Sequence, residues 1–308
     1  MIPCFPKFKR LAFADRSAIE KYTKRYPPYS DFDFVSLWGW SSRESTLVSI
    51  LNNNLVLKFR DYITHEPFYT FIGINRIANT IDMLLKKAQE DHLSPCLKII
   101  PEVSLQTAPK SVFSKYSVCE DRDNFDYIYS VNRSIEFNGN KLRSKRNFVN
   151  RFKSKYQFTH KIIDLSSSRC QEEMLQLYEI WRKAKIKDPM EVQNELGAIK
   201  RVFKCQNFRN FLVVGLYIDQ QLAGFSINEI HNHGYTTNLF EKGNIKFEGI
   251  FPYLRQITAT YLAQKGCQFL NHEQDLGVEG LRKSKLSYCP KFFLKKYTIS
   301  LKNDQNVQ

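Results

Sequence analysis

Residues 235 to 276 read Y-T-T-N-L-F-E-K-G-N-I-K-F-E-G-I-F-P-Y-L-R-Q-I-T-A-T-Y-L-A-Q-K-G-C-Q-F-L-N-H-E-Q-D-L. Tyr235–Phe240 has the composition of a strand, and Glu241 to Gly249 forms a polar, glycine-bearing loop. Ile250, Leu254, Ile257 and Tyr261 then recur at spacings of 4, 3 and 4, which predicts a helix. Pro252 suits its first turn and Gly266 its end. Phe269–Leu276 returns to a strand-like run.

Working outward, Phe211–Ile218 and Leu222–Ile230 precede this unit as strands, with turns at 219–221 and 231–234, giving an antiparallel meander. Two helices, Cys170–Lys185 and Pro189–Lys204, come before it. The first half repeats the pattern. Thr46–Leu51, Leu55–Arg60 and Phe68–Gly73 read as strands, Ile74–Asp91 as a helix and Leu97–Ile100 as a strand. Ile77, Ile81, Leu84, Leu85 and Ala88 give that helix its apolar face. Meander, helix and strand occur in both halves without a residue-level repeat, so an architectural duplication is expected.

Downstream, Asn271 to Tyr297 reads N-H-E-Q-D-L-G-V-E-G-L-R-K-S-K-L-S-Y-C-P-K-F-F-L-K-K-Y. If the strand runs through Leu276, Glu273 and Asp275 share one face about 7 Å apart. Seven cations then follow to Lys302 with no acid among them: Arg282, Lys283, Lys285, Lys291, Lys295, Lys296 and Lys302. Carboxylates facing a basic turn suit an anionic substrate and a proton transfer. A solvated hairpin explains the same spacing.

The chain has 308 residues, 43% hydrophobic and 14% aromatic, enough for a packed core and two domains. No apolar run approaches the roughly 18 residues that cross a bilayer. The start, M-I-P-C-F-P-K-F-K-R, lacks a secretory h-region. Seven scattered cysteines without a CxxC pair point to a reducing, cytoplasmic setting and away from a zinc cluster. The net charge of +15 is concentrated. Arg133 to Lys161 carries nine basic residues and one acid, and Leu281 to Lys302 seven basic residues and none acidic. Such clusters suit polyanionic partners: tRNA, a phosphorylated cofactor or an anionic membrane. Within the first cluster, residues 139–156 have Leu142, Val149, Phe152 and Tyr156 on one side, as in a docked basic helix. His231 and His233 lack a third ligand nearby, so no metal is expected. Cys267 and Cys289 lack an identifiable base and read as packing residues.

The order of elements matches the core of the GCN5-related N-acetyltransferase (GNAT) fold, a mixed α/β architecture. That fold places an acyl carrier's phosphates at the loop and helix start between its fourth and fifth strands. Gly73 runs almost directly into its helix, whereas the second half has a loop bearing Lys242, Gly243, Lys246 and Gly249. The second half is therefore expected to be the working one. The sequence resembles the bacterial family related to the C-terminal domain of phosphatidylglycerol lysyltransferase. D-Y-I-Y (126–129), G-N-K-L-R-S-K-R-N-F-V-N-R-F (139–152), F-E-K (240–242), G-I-F (249–251) and the 271–297 stretch carry the resemblance.

The resemblance implies a tandem GNAT-like fold with two mixed sheets flanked by helices, and an acyl- or aminoacyltransferase. Expected divisions are an N-terminal, degenerate domain over 1–132, a basic linker over 133–160 and a working domain over 161–308. The expected donor is aminoacyl-tRNA or acyl-CoA as co-substrate, and the acceptor an amine or hydroxyl. Glu273 or Asp275 is the expected base or amine anchor, and Tyr288 the proton donor to the leaving group. Lys242, Gly243, Gly249, Arg282 and Lys285 are the expected carrier-binding residues. The competing reading is a non-catalytic module that binds tRNA or an anionic membrane peripherally.

Overall fold

The computed structural model describes residues 1–41, 46–184, 189–205 and 210–302. In chain order its strands are β1 (Lys9–Arg10), β2 (Leu47–Leu51), β3 (Asn54–Arg60), β4 (Pro67–Ile72), β5 (Cys96–Pro101), β6 (Tyr116–Glu120), β7 (Asp126–Ser130), β8 (Phe158–Ile162), β9 (Phe211–Ile218), β10 (Gln221–Ile230), β11 (Tyr235–Gly243), β12 (Phe269–Asn271), β13 (Phe292–Leu294) and β14 (Lys296–Leu301). The helices are α1 (Arg16–Thr23), α2 (Phe34–Trp40), α3 (Ile77–Glu90), α4 (Glu102–Gln106), α5 (Val131–Glu136), α6 (Arg143–Lys155), α7 (Ser168–Lys183), α8 (Pro189–Phe203), α9 (Ile250–Gln264) and α10 (Glu279–Leu286). Lys185, the expected end of α7, lies outside the described residues. Among the described residues, no helix is long and apolar enough to cross a membrane.

The chain packs as two compact units that interleave along the sequence. The first comprises Met1–Asp126, Gln274–Val278 and Phe293–Gln308, the second Tyr127–Glu273 and Glu279–Phe292. The expected linker, 133–160, thus lies wholly within the second unit.

In the first unit the strand order is β1-β2-β3-β4-β5-β14-β6. β2, β3 and β4 form the antiparallel meander, and β5 is parallel to β4 after the α3 crossover. Ile77, Ile81, Leu84, Leu85 and Ala88 of α3 bury against Val56, Tyr69, Phe71, Leu97 and Ile299. The helix stops where His92 turns left-handed at φ 56° and Leu93 N–H donates to Ala88 C=O at 2.8 Å, a Schellman-type closure.

The same unit contains a buried polar knot. Lys296, 0% exposed, donates to Asp126 Oδ1 at 2.8 Å and forms an ion pair with Asp31. Ser30 N–H and Tyr62 O–H donate to Asp126 and Asp31 at 2.8 and 2.7 Å, and Gln274 Nε2 donates to Asp31 at 3.0 Å. Burial raises the Asp31 pKa, against the pull of the Lys296 ammonium. Five chain segments distant in sequence, around residues 30–31, 62, 126, 274 and 296, are tied together here by buried ion pairs and hydrogen bonds. Lys296, one of the cations in the expected basic turn, is an internal strut.

In the second unit the order is β13-β7-β12-β11-β10-β9-β8. β9, β10 and β11 are antiparallel, and β12 is parallel to β11 after the α9 crossover. Both sheets therefore show the same meander, helix and parallel strand, which is the tandem GNAT-like fold.

Directly opposed residues of an antiparallel pair point to one face. Ser226 opposes Glu241, and Phe225 opposes Lys242. A Cβ on Gly224 would meet Leu254 and Ile250 of α9 at 3.4 and 3.5 Å, so α9 covers the Gly224–Ser226–Glu241 face. Lys242 faces the other way, toward α7 and α8.

One expected strand is shorter than predicted. β12 ends at Asn271, not Leu276, because Glu273 and Leu276 adopt left-handed backbone at φ 56° and 54°. Asn271 Oδ1 accepts the Glu273 N–H at 2.7 Å, and Glu273 C=O accepts the Tyr127 N–H at 3.1 Å, which holds the turn.

Candidate active site

Neighbouring side chains on a strand point to opposite faces, and at the end of β11 this separates Glu241 from Lys242. Lys242 is buried, its ammonium 2.7 Å from Glu195 of α8 and 3.8 Å from the centre of the Trp181 ring. Glu241 lies on the α9 face with only partial solvent access. Desolvation pushes its carboxyl up to about 7, although Arg255 and Lys242 pull it down. A carboxyl poised near neutrality can take or give a proton at physiological pH.

Arg255 is the lone charged residue among the fifteen of α9 and is 4% exposed. Its Cζ lies 3.9 Å from the Tyr129 ring centre and 4.2 Å from that of Tyr288. Tyr129 comes from β7 and donates its hydroxyl to Lys285 C=O at 2.7 Å. Burial pushes its phenol up to about 12. Tyr288 follows α10, and burial raises its phenol further, with Glu241 adding to the rise, so the hydroxyl keeps its proton. Lys145 of α6 sits 4.1 Å from the Tyr288 ring centre, and burial followed by the Arg255 charge lowers its pKa. His272 touches Tyr129 edge-on at 5.5 Å. Burial, Arg255 and Lys285 hold its imidazole neutral.

These groups collect around one face of the second sheet: a near-neutral carboxyl, a caged guanidinium, two protonated phenols and a neutral imidazole. Of the residues singled out in the sequence, Tyr288 belongs to this cluster. Lys285 supports it, donating to His272 C=O at 2.5 Å. Arg282 lies on α10, partly exposed.

Because β12 ends at Asn271 and Glu273 has left-handed backbone, Glu273 and Asp275 share no strand face. Asp275 is buried, paired with Arg122 at 3.3 Å, and accepts the Gly277 N–H at 2.9 Å. Gly243 ends β11, and a Cβ there would meet Ile250 at 3.3 Å. Gly249 caps α9 at φ +84°, and a Cβ would come within 2.4 Å of Phe148 C=O, so α6 lies directly on it. Lys246, Phe247, Glu248 and Ile250 N–H groups already donate to Asn244, Tyr156 or Phe247. That leaves the loop fewer amides for a phosphate than its length implies. In the first unit, Asn54 Oδ1 accepts the Asn75 N–H at 3.0 Å and lies 2.2 Å from where a Gly73 Cβ would stand, filling the start of α3.

Glu241 and Arg255 were not singled out in the sequence, but each left a signal. Glu241 sits in the F-E-K motif beside Lys242, an expected carrier-binding residue. Arg255 interrupts an otherwise uncharged helix, an expensive position for an arginine without a task.

The family model described as "Phosphatidylglycerol lysyltransferase, C-terminal" matches residues 23–300. An uncharacterised protein of Mycoplasmoides gallisepticum is 24% identical over 196 residues, covering 62% of this chain and 61% of that protein. The chain thus matches less than two thirds of that curated relative. A conserved Bacteroides thetaiotaomicron protein of unknown function has a TM-score of 0.79 at 24% identity, covering 98% of this chain and all of the other. The C-terminal domain of an Agrobacterium fabrum protein described as a lysylphosphatidylglycerol synthetase has a TM-score of 0.63 at 12% identity, covering 94% and 91%. At these identities the structural likenesses establish the fold. With the family match spanning nearly its whole length, the chain belongs to the phosphatidylglycerol lysyltransferase C-terminal family.

Proposed function

We propose that the second unit transfers an acyl or aminoacyl group from a polyanionic carrier to an amine or hydroxyl acceptor. The observation that carries this reading is Glu241, held near neutral pKa beside Arg255 and Tyr288 on the crossover face. In the direct mechanism the acceptor nitrogen or oxygen attacks the donor's ester or thioester carbonyl. The new C–N or C–O bond forms as the carrier's C–O or C–S bond breaks. Glu241 takes the proton released by the nucleophile, and Tyr288 returns one to the leaving alkoxide or thiolate. Glu241 replaces Glu273 and Asp275 as base, since Asp275 is committed to Arg122.

Aminoacyl-tRNA or acyl-CoA is the donor class this reading calls for. Exposed Arg143, Arg151, Lys153 and Lys155 on α6, with Arg282 on α10, offer charge to its phosphates. The first unit is read as non-catalytic, with Asn54 filling the position where its own carrier would enter. The test is transfer itself. The protein is mixed with a charged tRNA pool or with acyl-CoAs, and amine and hydroxyl acceptors are followed by mass spectrometry. Product formed by the wild type and lost in Glu241→Gln is expected. Transfer unchanged in that variant, or absent with every donor, overturns the reading.

A further inference from the structure

We propose that Arg255 grips a carboxylate of the acceptor, which makes the acceptor an amino acid or a peptide with a free amine. This rests on the transferase reading, since it names what enters the same site. The Tyr129 and Tyr288 ring centres lie 3.9 and 4.2 Å from Cζ, so both rings pack against the guanidinium. Its N–H bonds lie in the guanidinium plane, and any further hydrogen-bond partner of Arg255 lies there too.

Two of its nitrogens await such a partner. Nε and Nη2 are shielded from solvent and have no hydrogen-bond partner among the described residues. Their N–H bonds run parallel along one edge, the fork that matches the two oxygens of a carboxylate. Thr258 Oγ1, one turn along α9 and 1% exposed, is likewise unpartnered, as is His272 Nε2. Four buried polar atoms from three residues without partners are costly in a folded core unless a ligand uses them.

A flat monoanion fits this edge better than a phosphate. A dianion is disfavoured where the Glu241 charge already reaches Tyr288, the ring that packs on Arg255. With the carboxylate on Arg255, the same molecule's amine is the nucleophile, and Glu241 receives its proton.

The experiment is equilibrium binding on the full chain. Calorimetry compares the common amino acids and a set of dipeptides with their C-terminal amides, with inorganic phosphate as competitor. The acid forms are expected to bind roughly ten- to a hundredfold more tightly than the amides, and Arg255→Lys to erase that difference, because it keeps the charge and loses the fork. Thr258→Val, an isosteric change, should weaken the acids by less. Equal binding of acid and amide, displacement by equimolar phosphate, or no acid-dependent binding by any of these probes overturns the proposal. If Arg255→Lys does not fold, the acid–amide comparison on the wild type still decides. Acid-selective binding without transfer from any donor sinks only the transferase reading. Transfer to acceptors lacking a carboxylate sinks only this one.

Discussion

Glu241→Gln separates a working carboxyl from a structural one, because the two roles move stability in opposite directions. The ordinary glutamate value is 4.5, and Glu241 is held at about 7, chiefly by desolvation. A folded pKa above the unfolded one means that the group supports the fold below pH ~4.5 and opposes it increasingly as pH rises through ~7. The full shift corresponds to about 3 kcal/mol once the group is ionised, and partial solvent access reduces this to about 2 kcal/mol. Glutamine has the same shape and never ionises. At pH 8 the variant should therefore be more stable than the wild type by about 2 kcal/mol, with the difference vanishing near pH 4. Urea unfolding across pH 4 to 8.5 measures this, alongside single-turnover transfer at each pH. The wild-type rate should rise through pH 7 as Glu241 ionises. A variant that loses stability at pH 8 would identify Glu241 as an ionised structural partner of Arg255 and refute its assignment as base.

Lys296→Met leaves Asp31 and Asp126 buried without their cation, and should cost about 3–5 kcal/mol at pH 7.5. The loss should shrink at pH 4 as Asp31, whose pKa is raised by burial, takes up a proton, which denaturant titration at the two pH values would reveal. Lys242→Met should lower the melting temperature, through loss of the buried ion pair with Glu195, and leave the salt dependence of carrier binding unchanged. A fall in carrier affinity at equal stability would restore the phosphate role expected for Lys242. Gly249→Ala places a Cβ 2.4 Å from Phe148 C=O at φ +84° and should cost about 2 kcal/mol or more by displacing α6. Thermal unfolding within a degree of wild type would show that α6 yields freely.

Local periodicity carried most of the architecture. The apolar spacing in α3 and α9 and the alternation in both meanders are properties of short windows, so they are legible without a structure. What escaped were features that depend on distant partners. The expected continuation of β12 fails because Asn271 and Tyr127 hold Glu273 in a conformation that local sequence does not demand. The cation run from Lys291 to Lys302 hides two strands, β13 with the apolar run Phe292–Leu294 between lysines, and β14 with Ile299 between Thr298 and Ser300. Charge was the louder signal, and it pointed to a surface, yet Lys296 is fully buried.

The site shows the same division between local and distant information. F-E-K was recognised as a motif, but strand alternation sends Glu241 and Lys242 to opposite faces, and no local feature says which face α9 covers. A lysine is the residue a phosphate-binding loop calls for. The decisive residue lies fourteen positions after Glu241, in Arg255, whose charge is visible in the sequence while its cage is not. Tyr129 and Tyr288 stand more than a hundred residues from each other on either side of it. Only the fold brings both rings to one guanidinium. The site is therefore assembled where β7, α9 and the segment after α10 converge. A single uncharged-helix arginine is the sequence feature that marks such convergence in advance, because burying it without partners is unfavourable by more than any propensity gain can offset.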